Sequence, residues 1–160
     1  MKNQINKKIL SFILIFVLLV LISAYTIEYW LGHNPCKLCV YERIPYFLSS
    51  FLIVKILFIK GYEKLTLLIL SLIFIIGTIL AFYHFGIEQG FFKESLVCTT
   101  ETLAETSTKE ELLEQLKQNT KSCKDVSFRI FGLSLAAINM IFSSILSVIF
   151  IKLFMSYGKN

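Results

Sequence analysis

Four apolar runs, nearly free of charge, limit what this chain can fold into: residues 9–27, 44–59, 65–83 and 130–151. A helix needs roughly 20 predominantly apolar residues to cross the hydrocarbon core of a bilayer, and each run approaches or meets that length. Of the 160 residues, 56% are apolar and 17% charged; a soluble domain of this size would carry more apolar surface than it could hide. The sequence therefore predicts an all-α membrane protein, a single membrane domain over 1–160 built as a four-transmembrane-helix bundle, with larger loops at about 28–43 and 84–129. The second run is the weakest, being short and holding Lys55, whose stem can snorkel to the headgroups near Lys60. The first run follows Lys7 and Lys8 as a secretory signal would, but it is longer than a signal core and lacks a small-x-small cleavage site, so it reads as a span.

Four spans put both termini on one side. Outside the spans, the termini and the 60–64 loop hold seven lysines in 22 residues, whereas the other two loops hold eight Lys or Arg in 62. Basic residues accumulate on the cytoplasmic side of a membrane, so their density predicts cytoplasmic termini and two extracytoplasmic loops. The net charge of +5 thus reflects topology and gives no reason to expect a nucleic-acid partner.

Tyr25, Tyr29 and Trp30 end the first run and Tyr46 opens the second, the placement of an aromatic belt at the membrane interface. The 84–129 loop is longer than a mere connection needs to be, which makes it a candidate functional segment. Within it, Ser107 or Thr108 with Glu110 or Glu111 forms a helix-capping pattern ahead of the apolar stripe Leu112, Leu113 and Leu116. A short helix that only stabilises the loop is the plainest reading of that stripe.

All four cysteines fall in the two larger loops: Cys36 and Cys39 as a Cys-x-x-Cys motif, Cys98 and Cys123 in the long loop. An even count on an extracytoplasmic face suggests disulfides. Three chemistries are open at this point. A zinc site would want a second close-spaced pair, which Cys98 and Cys123 do not provide, so no metal is expected. Structural staples are common in secreted loops, but a Cys-x-x-Cys bridge closes too short a loop to restrain much chain. Thiol exchange suits such a motif, and a second pair on the same face makes a relay plausible.

Arg43 lies four positions after Cys39, and Pro45 suits the first turn of the second span, which predicts that Cys39 sits near a positive helix end. Both features favour a thiolate; an anchor for the helix end at the headgroups is the plainer role for Arg43. His84 and Glu88 are four apart and share a face if the third span continues that far, either as an interfacial ion pair or with His84 serving a redox ligand.

The chain resembles the bacterial disulfide bond formation protein B (DsbB) family of four-helix inner-membrane quinone reductases. The resemblance rests on Cys36-Lys37-Leu38-Cys39-Val40-Tyr41-Glu42-Arg43, on Tyr83-His84-Phe85-Gly86-Ile87-Glu88, on Cys98 with Cys123, and on Phe131-Gly132-Leu133-Ser134. Val97 stands where many members carry proline, and Phe128 lies in a region that is often tryptophan. The resemblance implies a bacterial inner-membrane enzyme that reoxidises a periplasmic thioredoxin-like dithiol oxidase (DsbA-like) and passes two electrons to a membrane quinone, ubiquinone or menaquinone. It also implies roles: Cys98 accepts the partner, Cys123 resolves it, Cys36 exchanges with the loop pair, Cys39 donates to the quinone, and Arg43 and His84 sit beside it. The competing readings are a quinone-linked thiol oxidoreductase like the vitamin K epoxide reductase group, whose Cys-x-x-Cys is expected near a later helix, and a non-catalytic membrane protein with stapled loops.

Overall fold

The computed structural model describes residues 7–59, 61–93, 98, 122–124, 126, 128–130 and 132–157. Within them the chain runs through α1 (Lys7–Tyr29), the short α2 (Lys37–Tyr41), α3 (Ile44–Phe58), α4 (Glu63–Glu88), a two-stranded ribbon of β1 (Arg129–Ile130) and β2 (Leu133–Ser134), and α5 (Leu135–Ser156). The capping pattern at Ser107 and Thr108, and the stripe of Leu112, Leu113 and Leu116, lie outside the described residues.

Among the described residues three helices, α1, α4 and α5, are long and apolar enough to cross a membrane, so the protein is a multi-pass membrane protein. The 15 residues of α3 rise only about 22 Å at 1.5 Å per residue, short of the roughly 30 Å of a hydrocarbon core. Each helix buries one stripe and leaves large apolar side chains such as Phe12, Phe51, Ile76 and Ile145 on the outside, the arrangement a lipid solvent permits.

The bundle core follows helical spacing. Leu10, Ile13, Val17 and Leu21 line α1, which packs on α3, and α4 packs most extensively on α5. Phe74 lies against Phe150 with ring centroids 5.6 Å apart and meets Tyr46 edge-on at 5.6 Å, joining α3, α4 and α5. Gly77 lets α4 approach closely: a Cβ there would lie 3.3 Å from Cγ of Pro45 and 3.8 Å from Oγ of Ser143. At the far end, Lys55 donates to Oγ1 of Thr66 at 3.2 Å and so ties α3 to α4 instead of only reaching for headgroups, while Tyr157 donates to Glu63 at 2.9 Å.

Several boundaries depart from the apolar runs for local reasons. Pro45 has no N–H to give to the carbonyl four residues back, so what could be one helix divides into α2 and α3. The third span continues through Glu88, where Gly90 at φ 79 closes it: the Gly90 N–H reaches the Ile87 carbonyl at 3.0 Å and the Phe91 N–H the Gly86 carbonyl at 2.8 Å, the Schellman pattern. α5 begins at Leu135 and not at 130, because Arg129 pairs with Ser134 and Ile130 with Leu133 around Gly132 at φ 85. Ser134 then caps the helix by accepting from the Ala137 N–H at 3.2 Å. Tyr29 and Trp30 are highly exposed, as belt residues should be, but Tyr46 is 2% exposed and belongs to the core, its ring filling the space between α4 and α5.

Candidate functional site

Cys36 is the N-cap of α2, with φ −72 and ψ 165, and its Sγ accepts the Cys39 N–H at 3.1 Å. Cys36 is buried, Cys39 partly so, and both are free thiols. The expectation that the positive end of the span helix would favour a Cys39 thiolate is not what the geometry gives, since Cys39 lies inside the separate helix α2. A hydrogen bond from the Cys39 side chain lowers the Cys36 pKa, joined by the Cys39 N–H and opposed by burial. The same thiol–thiol hydrogen bond, and then burial, raise the pKa of Cys39. Of the pair, Cys36 is the sulfur favoured as thiolate and Cys39 the one that holds its proton more tightly.

The length of α4 carries His84 to this pair. Its Nε2 lies 3.5 Å from Cys36 Sγ and 3.9 Å from Oε1 of Glu88. Its Nδ1 lies 2.7 Å from Oε1 of Glu42, and a carboxylate can only accept, so Nδ1 carries the hydrogen. The second oxygen of Glu42 accepts from Nδ2 of Asn139 at 2.8 Å, whose Oδ1 accepts from the Tyr46 hydroxyl at 2.6 Å. Ser143 completes the chain 3.2 Å from that hydroxyl. A buried acid and a buried histidine are thus satisfied by groups from three elements, which fixes the ring relative to Cys36.

Beside the pair lies an apolar cavity of about 680 Å³, lined in part by Cys36, Cys39, Glu42, Arg43, Tyr46 and His84. Its wall brings together α1, α2, α3, α4 and α5. Arg43 enters it from the start of α3, held by an ion pair with Glu28 at 2.5 Å and by the Tyr25 ring 4.9 Å below the guanidinium. On the other side, Cys98 and Cys123 form a disulfide with Cα atoms 5.4 Å apart. Both pack in one buried cluster with Cys36, Leu38 and Ile87.

The six candidate site residues named from the sequence are therefore in one region: the free pair, the disulfide, Arg43 and His84. Glu42, Asn139 and Glu28 join the site with no role assigned to them by the sequence, and Tyr46 joins it in place of a belt role. Asn139 carried a usable signal, since a lone amide inside an apolar run needs a partner; Glu42 was hidden by its place in a loop-like stretch.

The family profile for Disulfide bond formation protein DsbB matches residues 6–153. The chain is 30% identical over 164 residues to the uncharacterized protein RP370 of Rickettsia prowazekii (strain Madrid E), covering 99% of this chain and 95% of that one. No solved structure matches it. With a profile match over nearly its whole length, a Cys-x-x-Cys pair and a second cysteine pair packed on the same face of the site, the chain belongs to the DsbB family and is a membrane oxidoreductase of disulfide-bond formation.

Proposed function

We propose that the protein is a quinone-dependent disulfide generator: it reoxidises a periplasmic thioredoxin-like (DsbA-like) dithiol oxidase and delivers the electrons to a membrane quinone, ubiquinone or menaquinone. In this reading it resides in the bacterial inner membrane with cytoplasmic termini and periplasmic cysteine loops, and α3, short as it is, serves as the fourth span. The observation that carries it is the contiguity of three things: the Cys98–Cys123 disulfide, the Cys36–Cys39 dithiol, and an apolar cavity lined by the long apolar helices.

The cavity fits a flat apolar ligand with polar ends. Its lining is mostly aliphatic and aromatic, and Arg43 and His84 stand in its wall as the polar groups that orient such a ligand. A bound quinone supplies a two-electron, two-proton acceptor. The chain's residues do the rest. Cys98 is attacked by the partner's thiolate and Cys123 leaves as a thiolate; the partner's second thiol then displaces Cys98, and the partner departs as a disulfide. The reduced loop pair exchanges with the Cys36–Cys39 disulfide, which restores Cys98–Cys123 and leaves the dithiol beside the cavity. Loss of two electrons and two protons from that dithiol closes the cycle as a disulfide. Cys36, favoured as the thiolate, is the exchanging sulfur, while Cys39 keeps its proton for the oxidation step. His84, locked by Glu42, holds the Cys36 sulfur and accepts its proton.

Trapping tests this reading. A thioredoxin-like oxidase in its disulfide form, added outside intact spheroplasts, should accumulate a mixed disulfide with the Cys123→Ser variant, whose Cys98 attacks the partner's disulfide and which lacks the resolving thiol. Trapping by Cys98→Ser instead would exchange the two roles. If neither variant traps the partner from outside, the loop pair is a staple and the reading fails.

A further inference from the structure

We propose that the reduced Cys36–Cys39 pair and His84 form a binding site for one Zn²⁺ ion, so that the dithiol state of the enzyme is the state a thiophilic divalent cation recognises. The spacing of the four cysteines argued against a zinc site made of cysteine alone. The fold brings a different third donor from α4.

Three observations support the site. The Cys36 and Cys39 sulfurs and a His84 ring nitrogen all lie within 4.8 Å of one another. With Zn–S of about 2.3 Å and Zn–N of about 2.0–2.1 Å at a tetrahedral angle, a sulfur and a nitrogen on one ion are about 3.6 Å apart; Cys36 Sγ and His84 Nε2 are 3.5 Å apart. That edge of the tetrahedron exists already. The second observation is the far side of the ring: Nδ1 is bonded to Glu42, which leaves Nε2 to coordinate, and a carboxylate behind a ligating histidine is the usual support of a zinc site. Asn139 holds that carboxylate in turn. The third is the adjoining cavity, which leaves room for water in a fourth position.

The chemistry balances without a redox change. Zn²⁺ displaces two protons to solvent, the one on the Cys39 thiol and the one shared by Cys36 and Nε2 of His84, and no electron moves. Two thiolates and an imidazole suit zinc, whereas magnesium and calcium prefer oxygen. The oxidised pair offers no thiolate and loses the site. Bound zinc would hold Cys36 and Cys39 reduced and unable to exchange until a chelator removes it.

The test measures metal directly and does not depend on the quinone or the protein partner. Full-length protein in detergent, carrying Cys98→Ser and Cys123→Ser so that only this pair can ligate, is reduced and titrated with Zn²⁺ against a chromophoric chelator. One ion per chain and two protons released are expected, and none after oxidation of the pair. Co²⁺ in its place should show tetrahedral visible bands with thiolate-to-cobalt charge transfer. His84→Ala should weaken binding at least about tenfold, and Glu42→Gln about 10- to 100-fold. Unchanged affinity in His84→Ala, an octahedral Co²⁺ spectrum or zinc retained after oxidation would each overturn the site. Should a variant lose its helical circular dichroism, X-ray absorption of the zinc-loaded reduced parent decides: two sulfurs and one imidazole support the proposal, and four sulfurs or an oxygen-only shell refute it.

Discussion

Arg43 is gripped from the side by α1, through Glu28 and the face of Tyr25, and this grip aims a charged fork along the wall of the cavity. Hydrogen bonds to charged groups contribute about 1.5–3 kcal/mol, which corresponds to about a 10- to 150-fold change in rate. Arg43→Ala should therefore lower kcat/KM for a soluble quinone by about that factor while leaving partner trapping at Cys98 intact. Arg43→Lys should recover only part of it, because an ammonium keeps the charge but cannot both fork to Glu28 and stack on Tyr25. Quinone titrations on the two variants check this, and unchanged kinetics would make Arg43 a headgroup anchor. The cysteines carry a second residue-scale prediction. A lowered pKa means that Cys36 stays thiolate at pH values below the ordinary 9.0 of a thiol, and a raised one means that Cys39 stays protonated above it. In the reduced protein, alkylation followed by mass spectrometry should modify Cys36 first and keep doing so at pH values where an ordinary thiol has slowed, with Cys39 lagging behind it at every pH. The reverse order would contradict the assigned thiolate. The motif residues could be read in the sequence because their spacing is local; Glu42 and Asn139 could not be paired, since 97 positions separate them and only the fold brings α5 to the turn between α2 and α3.

At the scale of elements, the apolar runs located α1 and α4 because burial in lipid needs nothing but length and hydropathy. They failed where backbone geometry overrides composition. Ile130 is apolar and was counted into a span, yet the turn at Gly132 puts it in a ribbon; His84 and Glu88 are polar and were placed at or beyond a span's end, yet the glycine cap keeps them helical. The short α2 was hidden because five residues show no periodicity, and it is the element that turns Cys36 toward His84. The tight joint among α3, α4 and α5 at Gly77 makes a prediction of its own. Gly77→Leu must push its side chain into Pro45 and Ser143, and overpacking of this kind costs about 1–3 kcal/mol. Unfolding in detergent should show that loss together with impaired turnover, since Pro45 starts the helix that carries Arg43. Stability equal to the parent would mean that the contact is looser than drawn.

Over the whole molecule, the two solvents explain the division of labour. Protein dithiols stay in water and quinones stay in lipid, so a catalyst joining them needs thiols in loops above an apolar cavity. The disulfide, the free pair and the cavity stand in that order in this fold. The measurement that bears most directly on this is quinone reduction by the purified full-length protein, with a reduced thioredoxin-like oxidase as donor and a soluble quinone analogue as acceptor. One quinol should form for each partner dithiol oxidised, and Cys39→Ser should abolish its formation. Partner oxidation without quinol, or quinol formation that survives Cys39→Ser, would contradict it.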